Sequence, residues 1–531
     1  MAASLPCELL VMILHMNGDD CSILRSHMLV NKAWHNVAIQ YLWAKPFTLL
    51  YEKYIASGRR RTFKQRAENL LTTFIRSFTD AQLVNERVDS LVKMCSKSSQ
   101  STNYNLHLKE IYLKEIQELV ALWIDLSLEY HKYSHVTGDR TNKLAHIIVG
   151  LVIQHCQQLR KLSLIPLNAP SYHLLGQLFD SAKDLSQLRV FSWKGTSYMK
   201  IFSILSELAC NLEEVSFNFY NMKLYYYKET DNFQKFVQSQ RRLKSITIER
   251  LLTNMSSMLK LLNVHSESLE SIQWVYVCFD TDDLSAEQIE LCQLKSISMR
   301  CCDVTEGGLN SLSVANIPRL QQLVIGNCNI PDVDWEQFFH KHGKALIDID
   351  ISSQRLLADE SFMVISRLCV NLRHLCVSVP SNRALRNVAD LVANQPNLHS
   401  LTLRYQTGSG REDNYTTLFN TLSEYRFSNL DYLELYSTRE FDVDSLDNFL
   451  SKSKPPLTSL IICDTYITEK HFNVILDHLS GTLKVLRAEY DISLDDEKRV
   501  KSVVGNFSQY SIRNTRHLRC NAEICTRRHK I

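Results

Sequence analysis

Apolar residues recur along most of the chain at a fixed spacing. From Leu159 onward, an aliphatic residue at position i is followed by apolar residues at i+3 and i+5. Nine of the twelve steps between successive units are 24 to 27 residues long. Such a period indicates a structural repeat. The thirteen units start at Leu159, Leu188, Leu212, Leu243, Leu269, Leu294, Leu320, Leu346, Leu372, Leu398, Leu430, Leu457 and Leu483.

Each unit predicts a short strand followed by a turn and, in most units, a helix. The last two apolar residues of a unit, such as Leu323 and Ile325, are two positions apart and therefore point to the same side of a strand. One unit cannot cover its own apolar side, but stacked neighbours bury a continuous core. The spacing therefore predicts an α/β repeat with a parallel sheet over residues 159–490.

The unit resembles the leucine-rich repeat, and more narrowly its cysteine-containing type. CCDVTEGGLNSL (301–312) and CDTYITEKHFNVIL (463–476) are similar to the segment that follows the strand in that class. The resemblance implies a solenoid whose curved sheet presents the side chains that alternate with the buried leucines. We interpret the repeat cysteines as small buried apolar residues. Four of them come just before strands: Cys156, Cys210, Cys292 and Cys369.

The N-terminal segment, residues 1–47, has a different periodicity. After Leu5-Pro6, the apolar residues Leu9, Leu10, Ile13 and Leu14 fall on one face of a helix. Two more helices are predicted over 22–30 and 32–42. The segment therefore predicts a module of three short helices.

The strings LPCELLVMIL and LVNKAWHNVAIQYLW resemble the F-box motif. The resemblance implies that the module docks the adaptor subunit of SCF-type cullin–RING ubiquitin ligases and, through that adaptor, a cullin. The adaptor contacts that it implies are Leu5, Pro6, Leu9, Ile13, Leu29, Val30, Trp34 and Trp43. The alternative is a plain three-helix cap on the apolar end of the repeat array.

Two further segments lack the repeat. Residues 48–158 predict a helical connector that caps the first unit and includes a helix over 110–130. Residues 491–531 form a predicted C-terminal tail. His517, Cys520, Cys525 and His529 could offer zinc ligands there, but their spacing fits a zinc site only loosely, so we favour a tail that covers the last repeat.

One end of the array is richest in the residue types that dominate protein interfaces. Arg404, Tyr432, Tyr436 and Arg487 occupy positions that alternate with the buried pairs, and Glu434 lies between the two tyrosines. Tyrosine and arginine are enriched at interface hot spots. We therefore predict that these five residues bind the substrate, the alternative being that they are ordinary surface residues.

No motif for catalysis, phosphate binding or a metal occurs in the sequence. We therefore expect a non-catalytic protein without a cofactor. The net charge of +3 argues against nucleic acid as the partner, and no signal peptide or membrane-length apolar run is recognised. We expect a cytoplasmic or nuclear location, with cysteines as reduced thiols.

The sequence favours a substrate-recognition subunit of an SCF-type ubiquitin ligase, which docks the adaptor and holds a protein substrate on its repeats. The first alternative is a repeat scaffold for protein interactions without ligase association. The second is a nucleic-acid-associated repeat protein.

Overall fold

The computed structural model describes residues 7–16, 21–58, 60–78, 104–124, 134–166, 179, 182, 184–195, 200–219, 230–280, 289–352, 359–379, 382–405, 415–436, 441–489 and 506–509. The chain divides into two compact units. The first comprises Met1–Cys278 with Ile289–Leu294, and the second comprises Phe279–Gln288 with Lys295–Ile531.

The first unit begins with helices and continues as alternating strands and helices. Its helices are α1 (Cys7–Met16), α2 (Cys21–Met28), α3 (Lys32–Leu42), α4 (Pro46–Ser57), α5 (Arg60–Arg76), α6 (Leu113–Ile124), α7 (Ser134–His155), α8 (Lys200–Leu208), α9 (Thr230–Ser239) and α10 (Met255–Asn263), with a 3₁₀ turn at Tyr104–His107. Its strands are β1 (Glu110–Tyr112), β2 (Lys161–Leu164), β3 (Val190–Gly195), β4 (Glu214–Phe219), β5 (Ser245–Glu249), β6 (Leu252–Asn254) and β7 (Ser271–Val275). The short strand β8 (Cys278–Asp280) lies where the chain passes to the second unit.

The second unit alternates strands and helices throughout. Its strands are β9 (Ser296–Arg300), β10 (Asp303–Val304), β11 (Gln322–Gly326), β12 (Asp348–Ser352), β13 (His374–Val379), β14 (Ser400–Tyr405), β15 (Tyr432–Tyr436), β16 (Ser459–Tyr466), β17 (Val485–Glu489) and β18 (Asn506–Gln509). Its helices are α11 (Asn310–Val314), α12 (Asp332–His342), α13 (Asp359–Leu368), α14 (Asn382–Ala393), α15 (Thr416–Leu422), α16 (Val443–Asn448) and α17 (Glu469–Leu479). A 3₁₀ turn at Gly343–Ala345 and a π-helical turn at Phe449–Ser453 complete it.

The strands confirm the predicted repeat. Each of the thirteen units forms a strand, and the neighbours within each compact unit pair in parallel. The register follows the sequence period: Leu323 lies beside Ile349, and Ile349 lies beside Leu375. These residues are buried, as the alternation of apolar and polar positions requires. The chain is therefore a parallel-sheet solenoid of the leucine-rich type.

A repeated hydrogen-bonding arrangement marks the start of most strands of the array. The carbonyl of Ile347 accepts from the backbone N–H groups of Arg373 and His374, at 2.8 and 3.1 Å. The carbonyl of Arg373 in turn accepts from His399 and Ser400, at 2.8 and 2.9 Å. The same two-donor arrangement recurs in both compact units and fixes the sheet register from one repeat to the next.

The connector and the tail each contribute a strand that the sequence did not predict. The predicted helix over 110–130 begins instead as β1, which pairs with β2 through Ile111 and Leu162. β18 pairs with β17 and extends the sheet of the second unit. Both additions carry too few apolar residues to reveal themselves as repeat units.

The three-helix module is joined to the array by the same repeated hydrogen bond. The Ala44 carbonyl, two residues after α3, accepts from the N–H groups of Lys109 and Glu110, at 2.8 and 3.0 Å. The Lys109 carbonyl then accepts from Arg160 and Lys161, at 2.7 and 2.9 Å. The end of the module therefore occupies the place of one further repeat ahead of β1.

Two further observations bear on the sequence analysis. Cys156 and Cys369 are buried, and burial raises the pKa of each thiol to about 12, which supports their interpretation as buried apolar residues. Cys210 and Cys292 are only half-buried, so the interpretation is wrong for these two. Across the ranges described above, no helix combines the length and the apolar character that crossing a membrane requires.

Candidate partner-binding surfaces

The three-helix module has a small, complete core of its own. α1 contributes Leu10 and Leu14, α2 contributes Leu24, and α3 contributes Trp34 with Val37 and Ala38. All six residues are buried. Asn31 begins α3 as its N-cap, because its side chain accepts a hydrogen bond of 3.0 Å from the Trp34 N–H. This core fixes which side of each helix faces outward.

Several apolar side chains of the module point outward. Leu9 is 44% exposed and Met12 is 60% exposed, and both lie on α1. In the turn between α2 and α3, Leu29 is 87% exposed and Val30 is 50% exposed. Ile13 lies at the edge of the core and is partly buried. Three of the predicted adaptor contacts thus have apolar surface available to a partner.

The two tryptophans among the predicted adaptor contacts lie inside the protein. Trp34 is only 6% exposed, and its ring packs against His27 at a centroid distance of 4.8 Å. Trp43 is buried and stacks on Tyr104 at 4.2 Å, which ties the module to the connector. Both rings therefore build the chain's own interior. Their contact with an adaptor stays a prediction, as do the contacts of Leu5 and Pro6, which lie outside the described residues.

At the other end of the chain, four of the five predicted substrate-binding residues lie on two neighbouring strands, and the fifth lies two strands further along the sheet. Tyr432, Glu434 and Tyr436 alternate along β15, and Arg404 of β14 lies beside Tyr436. Arg487 of β17 is in register with Glu434, with Ile461 of β16 between them. We call these five residues and Thr402 the glutamate cluster.

The Glu434 carboxylate is the centre of this cluster. It accepts hydrogen bonds from the Tyr432 hydroxyl at 2.8 Å and from the Tyr436 hydroxyl at 2.7 Å. The Thr402 hydroxyl donates a third bond of 3.2 Å. Glu434 is buried, so it acts as the internal support of the two tyrosines rather than as an exposed contact.

Two arginines set the charge of the glutamate cluster. The Arg404 guanidinium lies 5.0 Å from the centre of the Tyr436 ring, a cation–π arrangement, and Arg487 is exposed. Burial raises the pKa of the Glu434 carboxyl, which the hydrogen bonds from Tyr436 and Thr402 and the charges of the arginines oppose. Burial, together with the nearby Glu434 carboxylate, also raises the pKa of Tyr436. With Glu434 ionised, the cluster carries two positive charges and one negative charge.

Two residues that matter at these surfaces, Met12 and Thr402, do not stand out in the sequence. Met12 lies three positions after Leu9, so its helical spacing could have placed it on the exposed side of α1. Thr402 alternates with the buried Leu401 and Leu403 on β14, and its hydroxyl bonds to Glu434 across the pairing of β14 with β15. The repeat period predicts that the two residues are neighbours, but only the structure shows that the hydroxyl bonds to the carboxylate.

The described part of the chain contains no group of three or more histidine, cysteine or acidic residues placed to hold a metal ion. The tail residues that could offer zinc ligands, from His517 to His529, lie outside that part. Neither surface therefore includes a metal site built from described residues.

No protein-family model matches the sequence. No curated protein matches it either. Among solved structures, the chain is similar to one in a crystal structure of the Rad7–Elc1 complex in yeast, with 15% sequence identity and a TM-score of 0.35. That match covers 68% of this chain and 81% of the other. A similarity this remote does not carry function from one protein to the other.

Proposed function

We propose that this chain is the substrate-recognition subunit of an SCF-type ubiquitin ligase. The three-helix module docks the adaptor, and the repeat array holds a protein substrate through the glutamate cluster. The chain itself performs no chemistry, because its contribution is to position the substrate for ubiquitin transfer by other subunits.

One observation supports the proposal above all others. The module exposes Leu9, Met12, Leu29 and Val30 although its own core is complete without them. Fully burying a leucine that was exposed is worth about 1.5–3 kcal/mol. A partner with an apolar groove would gain this free energy at several positions of one small module. The F-box resemblance supplies the identity of that partner.

Co-purification of the full chain with the SCF adaptor tests this docking. We expect the wild-type chain to retain the adaptor and a Leu9→Asp/Leu29→Asp variant to lose it. Each aspartate would place a charge in an apolar interface, so we expect affinity to fall by at least about 100-fold. The matched control is Met363→Asp/Val370→Asp, since both of these residues are exposed apolar residues of the array. Absence of the adaptor from the wild-type preparation would refute the ligase assignment.

The glutamate cluster is tested separately, with adaptor binding left intact. We expect a Tyr432→Ala/Tyr436→Ala variant to bind the adaptor as the wild type does and to leave a specific substrate unubiquitinated. Substrates are the proteins whose ubiquitination in a reconstituted ligase requires the wild-type chain. Equal ubiquitination of every such protein by the variant would remove the cluster from substrate recognition.

A repeat scaffold without ligase association is the second candidate. It is favoured by the Ala44 carbonyl, through which the module continues the hydrogen-bonding pattern of the array as an end cap would. If the module is only a cap, neither the wild type nor the aspartate variant will retain the adaptor.

A further inference from the structure

The second compact unit contains a basic cleft at the N-terminal ends of its strands. The cleft has a volume of about 420 Å³ and spans the turns that precede β11, β12, β13 and β14. Its polar side chains are Arg319, Gln321, Lys344, Asn371, Arg373 and Asn397. It is separate from the glutamate cluster, whose residues lie within strands β14, β15 and β17.

The repeat itself builds this cleft. Arg319, Asn371 and Asn397 each precede the first leucine of a unit, and Gln321 and Arg373 each follow one. The backbone holds these positions in line, because the N–H of Ile347 bonds to the Gln321 carbonyl and the N–H of Arg373 bonds to the Ile347 carbonyl, both at 2.8 Å. The Asn371 side chain donates a bond of 2.8 Å to the Lys344 carbonyl, which braces the turn that carries the lysine. These hydrogen bonds hold the turns at the N-terminal ends of the strands in fixed positions.

The charge of the cleft has one sign. Arg319, Lys344 and Arg373 contribute three cations, and none of the nine described residues that line the cleft is acidic. All three cations have exposed side chains. Such a site attracts anionic groups, and arginine binds carboxylate and phosphate groups with two parallel hydrogen bonds.

We propose that the basic cleft binds an extended peptide segment with anionic side chains, either carboxylate or phosphorylated. Neighbouring strands are about 4.8 Å apart, so the turns of β11 and β13 are about 10 Å apart. Alternate side chains of an extended peptide are about 7 Å apart, which lets two or three of them reach the three cations. The amide side chains in the cleft can both donate and accept hydrogen bonds, as a peptide backbone requires.

Nucleic acid fits the basic cleft less well than a peptide does. A phosphodiester backbone offers hydrogen-bond acceptors, and its affinity for a protein grows with the number of phosphates that lysines and arginines neutralise. The cleft supplies three cations, and the net charge of the whole chain is only +3. A short acidic peptide segment carries few enough anionic groups for the three cations of the cleft to bind them.

Fluorescence anisotropy with the full chain tests the proposal. The probes are fluorescein-labelled decapeptides of alternating residues: glutamate with serine, phosphoserine with glycine, glutamine with serine, and lysine with serine. We expect one or both anionic peptides to bind, with affinity that falls as salt increases, and the neutral and cationic peptides not to bind. Whether the glutamate peptide binds, or only the phosphoserine peptide, identifies the side chain that the cleft accepts.

Two variants of equal net charge separate the cleft from general electrostatic attraction. We expect Arg319→Glu/Arg373→Glu to weaken binding at least tenfold and Arg367→Glu/Arg386→Glu, on exposed positions of α13 and α14, to change it less than twofold. An Arg319→Gln/Arg373→Gln variant removes the two positive charges without reversing them, and we expect it to weaken peptide binding less than the glutamate variant does. The proposal would be overturned if the cleft variants bound the anionic peptides as tightly as the wild type does. It would also be overturned if the wild type bound the glutamine peptide as tightly as the anionic peptides, or a ten-nucleotide oligothymidine more tightly than them. Adaptor co-purification is expected to be unchanged in these variants, so this proposal and the ligase assignment can fail independently.

Discussion

The repeat array and the three-helix module use their apolar residues in opposite ways. In the array, residues such as Leu323, Ile349 and Leu375 are fully or almost fully buried against neighbouring repeats. In the module, six residues form the core while Leu9, Met12, Leu29 and Val30 remain exposed. The array buries the apolar positions of its strands through its own length, with exposed apolar residues such as Met363 and Val370 on its helices and turns, whereas the small module exposes four apolar residues beside a core of six.

This difference predicts that substitutions that lower stability and substitutions that weaken partner binding fall at different residues. A substitution inside either region should lower stability, because it removes packing that the chain itself provides. A substitution at the exposed apolar positions of the module should leave stability unchanged and affect only a partner.

Replacing Trp34 by alanine should unfold the module while the array stays folded. Loss of a buried tryptophan costs about 3–5 kcal/mol, and a segment this small has little stability to spare. Hydrogen exchange followed by mass spectrometry should show loss of protection in α1–α3 and retained protection in β11–β14. A Trp34→Phe variant, which keeps an aromatic ring in the core, should retain most of the protection.

The same Trp34 variant also tests the prediction that this residue contacts the adaptor. If Trp34→Ala loses the adaptor while α1–α3 keep their protection, the indole acts as a contact despite its burial. We expect adaptor binding and the protection of α1–α3 to be lost together, because the Trp34 ring is part of the core of the module.

Replacing Leu401 by alanine should destabilise the array strongly, whereas Leu29→Ala should not affect stability. Leu401 is fully buried on β14, so its truncation should cost about 2–5 kcal/mol. Leu29 is largely exposed, and surface substitutions usually change stability by less than about 0.5 kcal/mol. Guanidinium chloride unfolding followed by circular dichroism measures both. If the free energy of unfolding fell by a similar amount in the two variants, Leu29 would have to be packed inside the chain.

The sequence predicted the array well because its signal is repeated thirteen times. Every predicted unit formed a strand, and the register between neighbours followed from the period. β1 and β18 escaped prediction because each carries only one aliphatic or phenylalanine residue, Ile111 in β1 and Phe507 in β18, whereas a repeat unit is recognised by three apolar positions. Such a strand is defined by the neighbour it pairs with rather than by its own residues.

The binding surfaces were harder to predict, for two physical reasons. Leu9 and Leu10 are adjacent leucines on one helix, and only the packing of α1 against α3 decides that Leu10 faces inward. At the glutamate cluster, the residue types were predicted, but the role of Glu434 as a shared acceptor depends on where the hydroxyls of β14 and β15 meet. Local periodicity specifies a helix or strand, whereas these details depend on contacts between elements.

Replacing Tyr436 by phenylalanine tests whether the glutamate cluster is held together by its own hydrogen bonds. The change removes one of three donors to the buried Glu434 carboxylate, and we expect a loss of about 1–2 kcal/mol in the free energy of unfolding. In a Glu434→Gln background the same change should cost less, because the charge that strengthens the bond is gone. Equal costs in the two backgrounds would show that Tyr436 acts independently of Glu434.

The smallest effect we predict is a pH dependence where α4, which directly follows the module, packs against α6. The Glu115 carboxyl of α6 accepts a hydrogen bond of 2.7 Å from Thr48 of α4. Burial raises the pKa of Glu115 to about 7, with further contributions from the nearby carboxylates of Glu52 and Glu110. In the unfolded chain the pKa of a glutamate is about 4.3. The folded state therefore holds this proton more tightly, so this contribution to stability is complete below pH 4.3 and is lost as pH rises through 7.

A Glu115→Gln variant should therefore be more stable than the wild type at pH 8, and its advantage should be much smaller at pH 5. Solvent reaches part of the carboxyl and screens it, so we expect a difference of about 1 kcal/mol at pH 8 rather than the full value of the pKa shift. Thermal unfolding measured at both pH values tests this, with Glu424→Gln as a control at an exposed glutamate of the array. An equal gain at both pH values would assign the effect to packing of the amide instead of to the carboxylate charge. The predicted result would place the pH-sensitive contact of the first compact unit between α4 and α6, outside the module core and outside its exposed apolar residues. Adaptor binding should accordingly show little change between pH 6 and pH 8.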